Sequence, residues 1–148
     1  MKALTLWQPW ASLVAIGAKQ IETRSWPTNY RGPIAIHAAA RIPRETQSLR
    51  DDPAFHYFWM RVQPLLGEII SHRPFRELPM GSILATATLV DCVPTPTITQ
   101  QISEQELAFG DYSPERFAWV FQDIRKTVLP IPAKGRQGLW VWEGSIPI

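Results

Sequence analysis

At 148 residues, with a net charge of +2, three histidines and one cysteine, the chain excludes an internal disulfide framework, and no dedicated Cys/His metal site is expected. No apolar run reaches the roughly 20 residues that cross a bilayer, and the start at Met1-Lys2-Ala3-Leu4 has no signal-peptide apolar segment, so a cytoplasmic, non-membrane protein is expected. Charge is uneven: residues 1–44 hold six cations against Glu22 alone, residues 45–124 hold five basic and eleven acidic residues, and residues 125–148 hold four cations against Glu143. If the two basic ends meet in the fold, they make one face suited to a polyanion.

In chain order, Ala3 to Leu6 reads as a first strand within residues 1–6. Pro9 then opens a helix in which Trp10, Leu13 and Val14 recur at helical spacing and which Gly17 ends. Residues 21–26 and 33–39 read as strands. On the second, Ile34, Ile36 and Ala38 face one way, and Ala35, His37 and Ala39 the other. Residues 43–80 differ in character, with repeated prolines and an apolar-aromatic stretch from Phe55 to Leu66 that predicts helices with Phe55, Phe58 and Trp59 as core. Residues 82–93 form a long, β-branched strand between Gly81 and Pro94. Ser103-Glu104-Gln105-Glu106 fits a capping box. Within residues 117–143, Phe117 to Phe121, Val128 to Ile131 and Leu139 to Glu143 predict three strands, with the basic turn Lys134-Gly135-Arg136-Gln137-Gly138 before the last.

The richest stretch is Gly17 to Trp26. On a strand, Glu22, Arg24 and Trp26 share one side and Ile21, Thr23 and Ser25 the other, while Lys19 reaches over the Glu22 side from the preceding turn. Two cations and a carboxylate beside a tryptophan can hold a phosphate and a base edge. Elsewhere the chemistry is sparse. His37, His56 and His72 are scattered, and there is no Walker motif, dinucleotide fingerprint or nucleophile elbow, so no metal and no cofactor are expected.

Gly17-x-Lys19-x-x-Glu22-x-Arg24 resembles the signature of the ASCH (activating signal cointegrator homology) domain family. The resemblance extends to Leu4 through Ser12, Arg24-Ser25-Trp26, Tyr30-Arg31-Gly32-Pro33, Ile36-His37-Ala38, Gly81 to Cys92 and Pro132 to Trp140. It implies a β-dominated α+β fold over residues 1–148: one PUA-like small β-barrel with flanking short helices and a helical insertion near residues 43–80. It also implies a basic cleft built around the signature, binding RNA, single-stranded nucleic acid or a nucleotide, with DNA possible; a monomer is expected. The ligand residues expected are Lys19, Glu22, Arg24, Trp26, Arg31, His37, Arg136 and Trp7, with Lys19, Arg31 and Arg136 around one cleft. The alternative is a small hydrolase acting on a modified nucleoside or on RNA through Lys19 and Glu22. One family branch cleaves an acetylcytidine amide with a Lys, a Thr and a distant Glu. Lys19 matches that Lys, Glu22 stands where that Thr would fall, and Asp91 is the candidate for the acid by location.

Overall fold

The computed structural model describes residues 1–67 and 74–147; His72 lies outside the described residues. Six strands form one mixed sheet: β1 (Lys2–Leu6), β2 (Ile21–Arg24), β3 (Gly32–Ala38), β4 (Ser82–Pro94), β5 (Phe117–Pro132) and β6 (Leu139–Val141), in the order β2-β5-β4-β3-β1-β6. The sheet curls into a half-barrel with β2 and β6 at its edges, and a few short helices complete a β-dominated α+β fold. β1 and β3 run parallel; the remaining pairs are antiparallel. Among the described residues no helix is long and apolar enough to cross a membrane.

Alternation along β1 and β3 sorts the side chains onto two faces. Leu4, Leu6, Ile34 and Ile36 join Ala11 and Val14 of helix α1 (Trp10–Ala15) and Trp119 and Phe121 of β5 in one buried cluster. Each fully buried Leu or Ile there contributes on the order of 1.5–3 kcal/mol. On the other face, Ala3, Ala35 and Ile83 pack with Trp140 and Trp142. The parallel register places Thr5 beside His37 on this same face. Two polar side chains therefore interrupt an otherwise apolar surface, and the candidate site is built over them.

The region between β3 and β4 supplies a second core. Helix α2 (Pro53–Val62) starts at Asp52, whose carboxylate accepts from Ala54 N and Phe55 N, and runs into a tight turn at Gln63–Leu66 that contains Pro64. Its Phe55, Trp59 and Val62 are buried with Leu13, Phe75, Leu78 and Phe109, and Phe58 packs at the margin. The helical-spacing reading of these aromatics holds.

Two elements differ from the sequence reading. β2 ends at Arg24, so Trp26 leaves the strand and packs edge-on against Trp119, with ring centroids 4.7 Å apart. The stretches Phe117 to Phe121 and Val128 to Ile131 belong to a single strand of 16 residues, not two. Its register against β4 shifts at Ile83/Ala85, Thr86/Thr88 and Leu89/Asp91, and Asp123 sits at φ 52°. Bulges of this kind bend and coil a long strand, and they interrupt the two-residue alternation that marks strands in a sequence.

Candidate functional site

A cleft of about 710 Å3 opens where the β5–β6 loop crosses the Thr5–His37 end of the sheet. Its floor is Thr5 and His37, its walls include Trp7 and Trp26, and four cations line it: Arg24, Arg41, Lys134 and Arg136. The loop is tied down through the floor. His37 Nε2 donates to the Ala133 carbonyl at 2.7 Å, which leaves Nδ1 to accept from the Thr5 hydroxyl at 3.1 Å. The Thr5 Oγ1 also accepts from Trp140 Nε1 at 3.0 Å and lies 3.3 Å from the Arg136 carbonyl, a second acceptor for its hydrogen. Gly135 makes the close approach possible: a Cβ there would lie 2.5 Å from His37 Cε1 and 2.8 Å from Thr5 Oγ1. Burial pulls the His37 pKa below its ordinary value, more strongly than the Ala133 bond raises it. His37 is thus a neutral strut at pH 7, holding a loop that carries two cations.

The cations differ in how far they are engaged. Arg24 Nε lies 3.4 Å from Glu22 Oε2, and its Nη2 donates to the Thr5 carbonyl at 2.5 Å. Arg41 stacks over Trp7, 5.4 Å from the ring centroid, at the exposed lip. Lys134 and Arg136 are exposed and have no carboxylate partner among the described residues. Trp26 is half-buried, with its carbonyl accepting from Trp119 Nε1 at 3.2 Å.

Behind Arg24 lies a buried polar cluster. Lys19 is only 1% exposed; its Nζ donates to the Phe109 carbonyl at 2.5 Å, sits 4.0 Å from Glu22 Oε1 and lies 5.4 Å from the Trp10 ring centroid. Burial lowers the Lys19 pKa, and the charges of Glu22 and Glu106 oppose the shift. Burial likewise raises the Glu106 pKa, although its Oε1 accepts from Gln20 N and Lys19 is close. The Tyr112 phenol is pushed up by burial and by Glu106 and Glu22. A side pocket of about 210 Å3 adjoins this cluster, lined by Trp7, Trp10, Glu22, Thr23, Arg24, Phe109, Gly110, Asp111 and Arg116. Trp7 and Arg24 border both cavities.

The fold brings together five of the residues expected from sequence: Trp7, Arg24, Trp26, His37 and Arg136 line the cleft. Glu22 faces the side pocket. Lys19 lines neither cavity, because the segment around Phe109 packs over its ammonium. Arg31 is not brought to the cleft either. It precedes β3, six residues from His37, roughly 20 Å along an extended chain at about 3.3 Å per residue, and pairs with Asp91 at 3.5 Å. The expected trio of Lys19, Arg31 and Arg136 around one cleft is thus corrected. The two basic ends of the chain do meet, but through Arg24 and Arg41 on one side and Lys134 and Arg136 on the other. Asp91 is corrected as well: the acid brought near Lys19 from far along the chain is Glu106.

Sequence reasoning missed Thr5, Arg41, Lys134 and Glu106 as site residues. For Glu106 a signal existed and pointed elsewhere. Ser103 does cap the helix α3 (Glu104–Ala108) by accepting from Glu106 N, but the Glu106 carboxylate turns to Gln20 N in place of closing the box.

The ASCH domain family model matches residues 4–131. Activating signal cointegrator 1 of Homo sapiens is 29% identical over 145 residues, covering 97% of this chain and 22% of that protein. The Mus musculus protein of the same name is 28% identical over 145 residues with the same coverage. The chain therefore spans about a fifth of the length of these relatives. Among solved structures, ASCH from Zymomonas mobilis superposes with a TM-score of 0.53 at 16% identity, over 96% of this chain and 87% of that one. A point mutant of the Zymomonas mobilis protein gives 0.53 at 18% identity, over 96% and 90%. At these identities the likeness is one of fold.

Proposed function

The chain belongs to the ASCH domain family, and we propose that it binds single-stranded nucleic acid, RNA in preference to DNA, in the cleft between Trp7, Trp26 and the Lys134–Arg136 loop. The family is associated with RNA binding. The observation that carries the reading is the convergence of four cations from both chain ends on one cleft with two tryptophans. Cations around a water-filled groove neutralise phosphates, and aromatic rings stack bases at about 1–3 kcal/mol each. Lys134 and Arg136 have no carboxylate partner among the described residues, so their charge is open to a ligand.

A salt titration with a fluorescent single-stranded RNA tests it. Three or four phosphate contacts predict that log K falls with log salt at a slope of about −2 to −3. Arg136→Ala should weaken binding and reduce the slope by about 0.7. No binding, or an affinity indifferent to salt, would reject the cleft as a phosphate site.

One observation favours the second reading, a hydrolase acting through Lys19 and Glu22. A lysine whose pKa is lowered by burial, beside a pocket, is the kind of group that acts as a base. Against it, the Lys19 ammonium is capped by the Phe109 carbonyl and lines neither the cleft nor the side pocket, so binding is the preferred reading. Incubation with acylated nucleosides and short RNAs, with products detected by mass, decides between them. Turnover that is lost in Lys19→Ala would reverse the preference.

A further inference from the structure

We propose that the side pocket next to the cleft receives one base of the bound strand and that Glu22 selects guanine there; the inference rests on the nucleic-acid reading of the cleft. The pocket is about 210 Å3, room for one flat ring system and below the roughly 300–1,000 Å3 of pockets for drug-sized ligands. Trp7, Trp10 and Phe109 give it aromatic walls, and its border with the cleft at Trp7 and Arg24 lets a base enter while its phosphate stays among the cleft cations.

Most polar groups around the pocket are already engaged with one another. Thr23 Oγ1 accepts from Asp111 N at 3.2 Å, and the Thr23 carbonyl accepts from Arg116 Nη2 at 2.9 Å. Asp111 Oδ1 accepts from Ser113 N and Oγ, and Oδ2 lies 3.6 Å from Arg116 Nε. Glu22 is different. Its Oε1 accepts from Thr23 N at 3.2 Å and stands 4.0 Å from Lys19. Its Oε2 has Arg24 Nε at 3.4 Å, and that Nε is buried without a hydrogen-bond partner. A carboxylate has about four lone-pair sites, so Glu22 retains acceptor capacity toward the pocket.

A group that only accepts discriminates among bases by their donors. Guanine presents N1–H and an N2 amine side by side, matching the two oxygens of a carboxylate. Adenine and cytosine each present one amine next to a ring-nitrogen lone pair, and uracil presents one N–H between two carbonyls. Against Glu22 these lone pairs repel, and only guanine forms two donor contacts at once.

The test is anisotropy binding of labelled oligouridylate carrying one central substitution: guanine, adenine, cytosine or hypoxanthine, the base that lacks the N2 amine. With the native protein, the guanine oligonucleotide should bind about tenfold tighter than all-uridine RNA, as for a bidentate base contact. The hypoxanthine one should fall between them. In Glu22→Gln, with one acceptor oxygen left, the guanine-to-uridine ratio should drop toward one. A guanine preference that survives Glu22→Gln overturns the proposal. Should that variant fail to fold, the native protein decides alone, and equal affinity for guanine and hypoxanthine overturns the proposal. Equal, salt-dependent affinity for every oligonucleotide also overturns it and leaves the cleft reading standing. Absence of binding to all of them rejects both.

Discussion

Two groups of charge start within five residues of each other and end in opposite circumstances. Lys19 and Glu22 turn inward, where Glu106 and Tyr112 meet them and burial shifts the ionisation of Lys19, Glu106 and Tyr112. Arg24 reaches the cleft with Arg41, Lys134 and Arg136. Inside, the Lys19 ammonium is held by the Phe109 carbonyl and Glu106 Oε1 by Gln20 N, because an unpaired ion in low dielectric is costly; Glu22 alone of these charges also borders a pocket. Around the cleft, charge remains available, because water solvates it until a ligand displaces that water. A signature rich in charge therefore mixes two roles, and burial separates them more sharply than spacing does.

The largest expected effect comes from removing the inward cation. Lys19→Met would leave Glu22 and Glu106 buried without it, at a cost of about 3–5 kcal/mol, read as a lower urea midpoint. Lys134→Ala, in the exposed loop, should change stability by less than about 0.5 kcal/mol. Similar losses for the two variants would erase the distinction between the clusters.

Next in size is the contact that pins the cleft loop. Gly135→Ala places a methyl within 2.5 Å of His37 and 2.8 Å of Thr5, so the loop must lift. The expected cost is about 1–3 kcal/mol of stability, as for other overpacked sites, accompanied by weaker RNA binding. Denaturation and binding measured on the same sample check both, and a variant with native values would show that the loop is not seated as described.

The smallest effects are in pH dependence, and the two regions should differ in sign. His37 has a folded pKa below its ordinary 6.5, so the unfolded chain takes up the proton first as pH falls. Its contribution is present above that value and is lost as pH falls toward the folded pKa. Glu106 has a folded pKa above its ordinary 4.5, so its contribution is present below that value and is lost as pH rises through the folded pKa. Thermal melts across the mildly acidic range should show a shallower fall toward low pH in His37→Gln. They should show a shallower fall toward high pH in Glu106→Gln. Parallel profiles for native protein and either variant would remove that residue from the account.

Residue patterns alone located five of the six strands, the α1 helix and the aromatic core of the region between β3 and β4. They also put Glu22 and Arg24 on one side of β2 and His37 on the face opposite Ile34 and Ile36. These features follow from the two-residue period of strands and the spacing of helices, both set by local backbone geometry. The same patterns split β5 into two strands, since bulges interrupt the alternation on which such a reading depends.

Which charges meet was decided by the tertiary structure. Glu106 reaches Gln20 and Lys19 across more than 80 residues because α3 docks beside the turn before β2. Arg31 and His37 both flank or belong to β3, yet the strand's length carries Arg31 away to Asp91. Lys134 and Arg136 join Arg24 and Arg41 only because His37 and Thr5 hold the β5–β6 loop by its carbonyls. The spacing of residues along the chain fixes how side chains alternate over a few positions; strand order, bulges and loop docking act over the whole sheet, and they determine which of those side chains share a cavity.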